Sequence, residues 1–337
     1  MRAYIEIDGN ALEKNYLDIK KETSKDLIAV IKSNAYGHGL IECAKILYKN
    51  KAPFFAVATK EEAILIRKNL IFTPILLLGE CLELKTIYSY KITLLVLGLE
   101  HLIKLSESPY PISIHLFIDV GMKREGIEIN QIQEALSIIN KSKLILKGVC
   151  THYSSKENYE VEHSLFLEAI KTIPNINKLL VHSSSSSTYS LNSDDTLHRI
   201  GLSLYGLDNM HTPILSLKAP IIRKIKVSEG DLVGYDGKGI TPDEGYIYTI
   251  GLGYADGWPR NFKTKAYVGD KELFQIGQTC MDYMMFFSKE NYEENTIFSI
   301  IDEKHPIEDI ALEQGTIPYE ICSKLNQRIK KMLIYKK

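Results

Sequence analysis

Lys32 closes the apolar run of AVIKSNAYGHG (29–39). An ammonium group at the end of a buried strand must find a partner or lose its proton. A lysine of lowered pKa forms Schiff bases with carbonyl compounds. A lysine snorkelling to solvent would leave the same trace in the sequence. Other polar residues also end or follow apolar runs: Asp119 with Arg124, His152, the serines of HSSSSS (182–187), and Arg199 in HRIGLSLYG (198–206). The serines fit either a flexible loop or hydroxyls and amides gathered around a phosphate. Tyr254, in GLGYADGWPR, reads alone as a hairpin tyrosine with a packed ring and a wet hydroxyl. GQTCMDYMM reads alone as a strand with buried methionines. His101, His115 and His163 stand outside any cluster and read as structural, and His152 alone as a satisfied histidine.

The elements that must position these groups are legible as apolar runs. LIAVIKSN (27–34), FFAVAT (54–59), PILLLG (74–79) and ITLLVLG (92–98) come first. ISIHLFIDVG (112–121), LILKGVCTHY (144–153), LLVHSSS (179–185) and HRIGLSLYG (198–206) follow. They are continuous rather than alternating, as in parallel strands covered on both faces. GLIECAKILYKNK, TKEEAILIRKNL, LEHLIKLSES, NQIQEALSIINKSK and VEHSLFLEAIKTI lie between them with helical spacing. Eight strands with intervening helices predict a (β/α)8 barrel over residues 1–210, although a doubly wound sheet gives a similar alternation. Only about a dozen residues join the seventh and eighth strands, too few for a long helix. Beyond residue 210, β-rich runs are broken by Gly and Asp turns, and helical pattern returns only at IEDIALEQG and YEICSKLNQ. Residues 211–337 are therefore expected to form a mainly β domain. In a barrel, reactive groups sit at the C-terminal strand ends, and phosphate often binds after the last two strands. The serine run and Gly201 fall there.

Composition narrows the class. Hydrophobic residues make up 45% and charged residues 25% of the chain, a globular balance. A net charge of −1 gives no basic excess for nucleic acid. ITLLVLGL (92–99) is far shorter than the ~18 apolar residues of a membrane span. MRAYIEIDGNALEKN lacks a signal-peptide pattern, so the cytoplasm is the expected compartment. Cys43, Cys81, Cys150, Cys280 and Cys322 are scattered, which argues against a disulfide framework or a zinc site.

Taken together and in order, these fragments resemble the alanine racemase family. AVIKSNAYGHG is similar to its pyridoxal-lysine segment, which implies that Lys32 carries pyridoxal 5′-phosphate and that Tyr36 contacts its phosphate. FIDVGMKREG resembles the segment whose arginine, here Arg124, holds the substrate carboxylate. The resemblance makes His152 a cofactor-binding histidine and places Arg199 at the cofactor ring, Ser186, Gly201 and Leu202 at its phosphate, and Tyr319 on the phosphate or substrate side. Tyr254 becomes the second catalytic residue, and Met281 and Asp282 complete the CMD segment. Three departures stand out. Lys123-Arg124-Glu125-Gly126 replaces the usual Gly-Arg-Leu-Gly. Ser185 replaces a common asparagine. Phe117 stands where many members carry a lysine, often carbamylated, that braces the arginine.

The implied reaction is interconversion of L- and D-alanine, supplying D-alanine for peptidoglycan, by two bases on opposite faces of the α-carbon. Lys32 would serve the D-face and Tyr254 the L-face. A tyrosine of ordinary pKa ~10 needs nearby cations or donors to act as a base, and His152 and Arg199 are the candidates. Arg199 at the pyridine nitrogen would leave that nitrogen unprotonated and disfavour transamination. The family also implies a homodimer in which Tyr254 and Met281 complete the partner's site. A serine or broad-specificity racemase is the nearest alternative. A pyridoxal-dependent decarboxylase would want an acidic group in place of Arg199, and a non-catalytic pyridoxal-binding barrel would lack the second domain.

Overall fold

The computed structural model describes residues 2–191 and 194–336. The chain opens with strand β1 (Tyr4–Asp8) and the helix Gly9–Thr23. Seven parallel strands follow at close intervals: β2 (Asp26–Val30), β3 (Phe54–Val57), β4 (Ile75–Leu77), β5 (Ile92–Val96), β6 (Ser113–Asp119), with the short β7 (Ile127–Glu128) beside it, β8 (Ile145–Cys150) and β9 (Leu180–His182). The eighth barrel strand is β10 (Leu197–Ile200), paired in parallel with β2. The order β10-β2-β3-β4-β5-β6-β8-β9 closes where the Thr196 amide donates to the Val181 carbonyl at 2.8 Å. This is the (β/α)8 barrel that the apolar runs predict. Its strands lie under helices, so β3 is buried at all four positions. The helix Leu40–Lys49 shows why the cover holds: it buries Leu40, Cys43, Ala44, Ile46 and Leu47 at i, i+3, i+4, i+6 and i+7 spacing. Each large apolar side chain so covered is worth about 1.5–3 kcal/mol.

The five predicted helices all form, and Gly9–Thr23 and the short Leu84–Ser89, which the sequence reading does not include, form beside them. Among the described residues between β9 and β10, the connection holds one short 3-10 turn, Tyr189–Leu191, and no long helix.

By internal contacts, residues 13–35 and 40–204 form one compact unit, and residues 1–12, 36–39 and 205–337 another. The second contains β11 (Leu215–Val227), the hairpin β12 (Leu232–Val233) and β13 (Gly239–Ile240), then β14 (Gly245–Ile250), β15 (Lys265–Val268), β16 (Lys271–Gln275), β17 (Met284–Ser288), β18 (Ile297–Ile301) and β19 (Lys330–Ile334). The sheet runs β14-β17-β16-β15-β18-β11-β1-β19, and a further β11–β14 pairing closes six of these strands into an antiparallel barrel. Thirteen residues let β11 pair with β1, β18 and β14 in turn, with a register shift between Ile221 and Arg223. Phe298 packs edge-on to Phe286 (5.6 Å) and Tyr248 (5.8 Å) in the core of this unit. The helices Ile307–Gln314 and Pro318–Lys324 stand where the sequence pattern put them. Strands β1 and β19 were not expected, and β1 belongs to this second sheet rather than to the parallel barrel.

Candidate active site

Lys32 follows directly on β2, one residue past Ile31, whose amide donates to the Ala56 carbonyl at 2.9 Å. Burial lowers its pKa, and the guanidinium groups of Arg124 and Arg199 lower it further, against opposition from Glu125 and Glu62. The chain then makes an unusual turn. Ser33, Asn34, Ala35 and Tyr36 have φ of 54°, 56°, 54° and 53°, four successive non-glycine residues in the left-handed region. Such residues cost roughly 1–2 kcal/mol each, so surrounding contacts must impose the turn. Glu62 supplies one: its Oε1 accepts from the Asn34 amide at 3.0 Å, while its Oε2 caps its own helix at Ala58 and Thr59. Asn34 Oδ1 accepts from the Leu40 amide at 2.8 Å and closes the other end.

Arg199, on β10, is 8% exposed, and among the described residues its side chain bonds through its two terminal nitrogens. Nη1 donates to the carbonyl and Nδ1 of His182, the latter at 2.7 Å. Nη2 donates to the carbonyls of Thr151 (2.5 Å) and Ser183 (3.0 Å) and lies 3.3 Å from His152 Nδ1. Since His182 Nδ1 accepts from Arg199, its proton sits on Nε2, which faces His115 Nδ1 at 2.7 Å. His115, which carries no signal of its own in the sequence, is thus clustered after all. Burial and the neighbouring guanidinium push His115 down to about 3 and His182 well below its ordinary value. His152 is pushed down to about 3 by burial, Arg199, Arg124 and Lys32. All three imidazoles are neutral near pH 7, so of His152 and Arg199 only the arginine brings positive charge.

An unfolded histidine protonates near 6.5, whereas His115 and His152 resist until about 3. Between those values the unfolded chain binds more protons, so stability is present above 6.5 and is lost as pH falls. Urea midpoints are expected to decline steadily from pH 7 to about 4.5, before the carboxylates begin to titrate. A flat profile over that window would contradict the neutral assignment.

The serine run is an organised loop. Asp195, 1% exposed, accepts from the amides of Ser183 and Ser184 at 2.8–2.9 Å and from both hydroxyls. Burial acts to raise its carboxyl, but the His198, Ser184 and backbone donors outweigh it and hold the group below the usual carboxylate range. This fixes Ser186, whose Oγ accepts from the amides of Gly201 (3.1 Å) and Ser203 (3.3 Å). Ser203 Oγ, beside them in sequence, is buried without a partner among the described residues. Converging amides with an unpaired buried hydroxyl form a donor set suited to a phosphate.

Asp119, at the end of β6, accepts from the amides of Gly121 (3.0 Å) and Lys123 (3.1 Å) and shapes the loop that carries Arg124. Arg124 is exposed and paired with Glu125.

In the second unit, Tyr254 begins a 3-10 turn held against the CMD segment: its amide donates to the Cys280 carbonyl at 3.1 Å, and the Ala255 amide to the Met281 carbonyl at 3.0 Å. A side chain at Gly253 would strike the Met281 carbonyl, so glycine is required there. Asp256, 1% exposed, receives Arg2 at 2.7 Å and accepts from the Gly253 amide. Asp282 pairs with Arg328 at 2.6 Å. The fold, not the sequence, brings Tyr254 against the CMD segment, and Arg2 and Arg328, which fasten Asp256 and Asp282, gave no local signal. Tyr36 packs on Tyr205 at 5.2 Å between ring centroids, and burial, with Tyr319 nearby, pushes its phenol up to about 12.

The five cysteines are all free. Among the described residues, no group of three or more His, Cys, Asp or Glu side chains is placed to hold a metal, and no helix is long and apolar enough to cross a membrane.

Comparison with known proteins bears on the whole chain. The alanine racemase N-terminal domain matches residues 7–209, and the alanine racemase C-terminal domain residues 214–333. An alanine racemase of Ligilactobacillus salivarius is 31% identical over 348 residues, covering 94% of this chain and 93% of that protein. The structure of alanine racemase from Clostridium difficile 630 superposes with a TM-score of 0.93 at 27% identity, covering 99% of this chain and 96% of the other. That of Bacillus anthracis alanine racemase with bound L-Ala-P gives 0.91 at 28% identity, covering 99% and 95%. With both domains matched in order over nearly its whole length, the chain belongs to the alanine racemase family.

Proposed function

We propose that this protein is an isomerase that interconverts L- and D-alanine with pyridoxal 5′-phosphate, using Lys32 and Tyr254 as opposed bases. The observation that carries the reading is the match of both alanine racemase domains over nearly the whole chain, with Lys32 half-buried just past β2.

The donor set fits the cofactor. Ser186 and the amides of Gly201 and Leu202, with Tyr36 and Tyr319, would hold the phosphate. Arg199, its terminal nitrogens occupied by protein acceptors and its Nε without one among the described residues, would donate Nε to the ring nitrogen. A guanidinium does not readily surrender its proton, so that nitrogen stays an acceptor. His152 lies beside Arg199 as a neutral neighbour. The cofactor, when bound, supplies the electron sink without which no side chain could remove the Cα–H of an amino acid.

The protein supplies the rest. Arg124 binds the substrate carboxylate, Met281 borders the substrate, and Asp282 supports that segment through Arg328. Lys32 Nζ, its charged form disfavoured by burial, takes or returns a proton on the D-face. Tyr254 does so on the L-face. Tyr254 is 39% and Met281 53% exposed, which suits residues that complete the site of a second copy in a homodimer. Free cysteines agree with a cytoplasmic setting, in which the product would serve peptidoglycan synthesis.

The test is purified protein loaded with pyridoxal phosphate and given L-alanine in D2O. Loss of optical activity with uptake of one α-deuterium is expected. Exchange with L-serine but not L-alanine would overturn the substrate assignment, and no exchange with any amino acid would overturn the function.

A further inference from the structure

Arg124 is exposed, yet one edge of its guanidinium is engaged. Nε donates to Glu125 Oε2 at 2.7 Å and Nη2 to Glu125 Oε1 at 2.6 Å, a bidentate pairing on the side-on edge. No hydrogen bond among the described residues engages Nη1, so the end-on edge, Nη1 with the second hydrogen of Nη2, remains open to another carboxylate. The burial is unequal: the Arg124 side chain is 54% exposed, that of Glu125 only 23%. The carboxylate is the more buried member and the guanidinium the presented one.

The backbone beneath is fixed. The Gly126 amide donates to the Leu97 carbonyl at 2.8 Å. At φ +124°, a Cβ on Gly126 would lie 2.7 Å from the Phe117 ring and 2.8 Å from the Asp119 amide, so the chain lies flush on both. Lys123 is left-handed at φ +55°, with its amide tied to Asp119. Phe117, 3% exposed, supplies no charge from the strand below, and Glu125 is the anion that the loop itself provides.

We propose that Glu125 is the positioning residue for Arg124, holding its side-on edge so that the end-on edge meets the carboxylate of the amino-acid substrate. The proposal rests on the racemase reading. Without Glu125, an exposed arginine must give up its rotamer freedom each time substrate binds, at a cost of roughly 0.5–1.5 kcal/mol, or about three- to tenfold in affinity. That loss falls equally on ground and transition states, so it enters KM and leaves kcat unchanged.

The experiment compares the wild-type holoenzyme with Glu125→Gln and Glu125→Asp. Expected for Glu125→Gln is a KM for L-alanine raised about three- to tenfold, with kcat within about twofold. Glu125→Asp should fall between. Propionate, a carboxylate without an amine, should bind more weakly to Glu125→Gln by a similar factor, read by ligand-observed NMR. An unchanged or lower KM in a folded Glu125→Gln protein overturns the proposal, the lower value marking Glu125 as a competitor of substrate. Should the Gln variant fail to fold, an unchanged KM in Glu125→Asp overturns it equally. If the wild type racemises nothing, the functional reading fails, and propionate binding still decides the role of Glu125.

Discussion

Tyr254→Phe, loaded with cofactor, is expected to racemise alanine about 10²–10⁴-fold more slowly than wild type while its thermal midpoint and bound-cofactor absorbance hold. The side chain is 39% exposed, so removing its hydroxyl leaves no buried group unpaired. Its turn is held by backbone bonds to Cys280 and Met281, which the substitution does not touch. The loss should also be one-sided. With Lys32 intact, the α-hydrogen of D-alanine should still wash out into D2O without inversion, whereas exchange from L-alanine should nearly stop. Equal loss of exchange from both enantiomers would assign Tyr254 a general supporting role. Undiminished racemisation would remove it from the mechanism.

The second large effect is expected at Arg199. Arg199→Gln cannot reach the carbonyls of Thr151, His182 and Ser183 and His182 Nδ1 together, and it leaves several buried acceptors unpaired. Each buried acceptor left unpaired costs about 1–3 kcal/mol, a loss that thermal or urea unfolding would register plainly. Since Arg199 also depresses His115, His152 and His182, its loss should let them protonate at higher pH. The acid decline in stability should weaken accordingly. A variant as stable as wild type would show that the strand-end acceptors find other donors.

Most of the barrel was legible because continuous apolar runs such as FFAV and the i, i+3, i+4 spacing of LIECAKILYK report burial directly. What escaped was short or shared. YIEID alternates over only five residues, and KKMLI carries two lysines, so neither β1 nor β19 stands out until they pair with each other. Site residues that belong to a resembling segment, such as Lys32 and Arg199, could be named from sequence. Those that hold them, Asp195 below the serines, Glu62 under the left-handed turn and His182 against Arg199, act across the fold. Glu125 was visible as a departure from the family pattern, but its role needed the geometry of the guanidinium.

Strand β1 has a consequence for how the chain assembles. It lies between β11 and β19, pairing Tyr4 with Lys218 and with Lys330. Its neighbours are therefore separated from it by about 200 and about 330 residues of chain, and loop closure over such distances is slow. Lying ahead of both neighbours in the chain, β1 is the strand that waits longest, its hydrogen-bonding edges open until β11 and β19 have formed. A fragment beginning near residue 211 would inherit the opposite problem, a gap between β11 and β19. Supplied as a separate peptide, the first dozen residues could fill that gap.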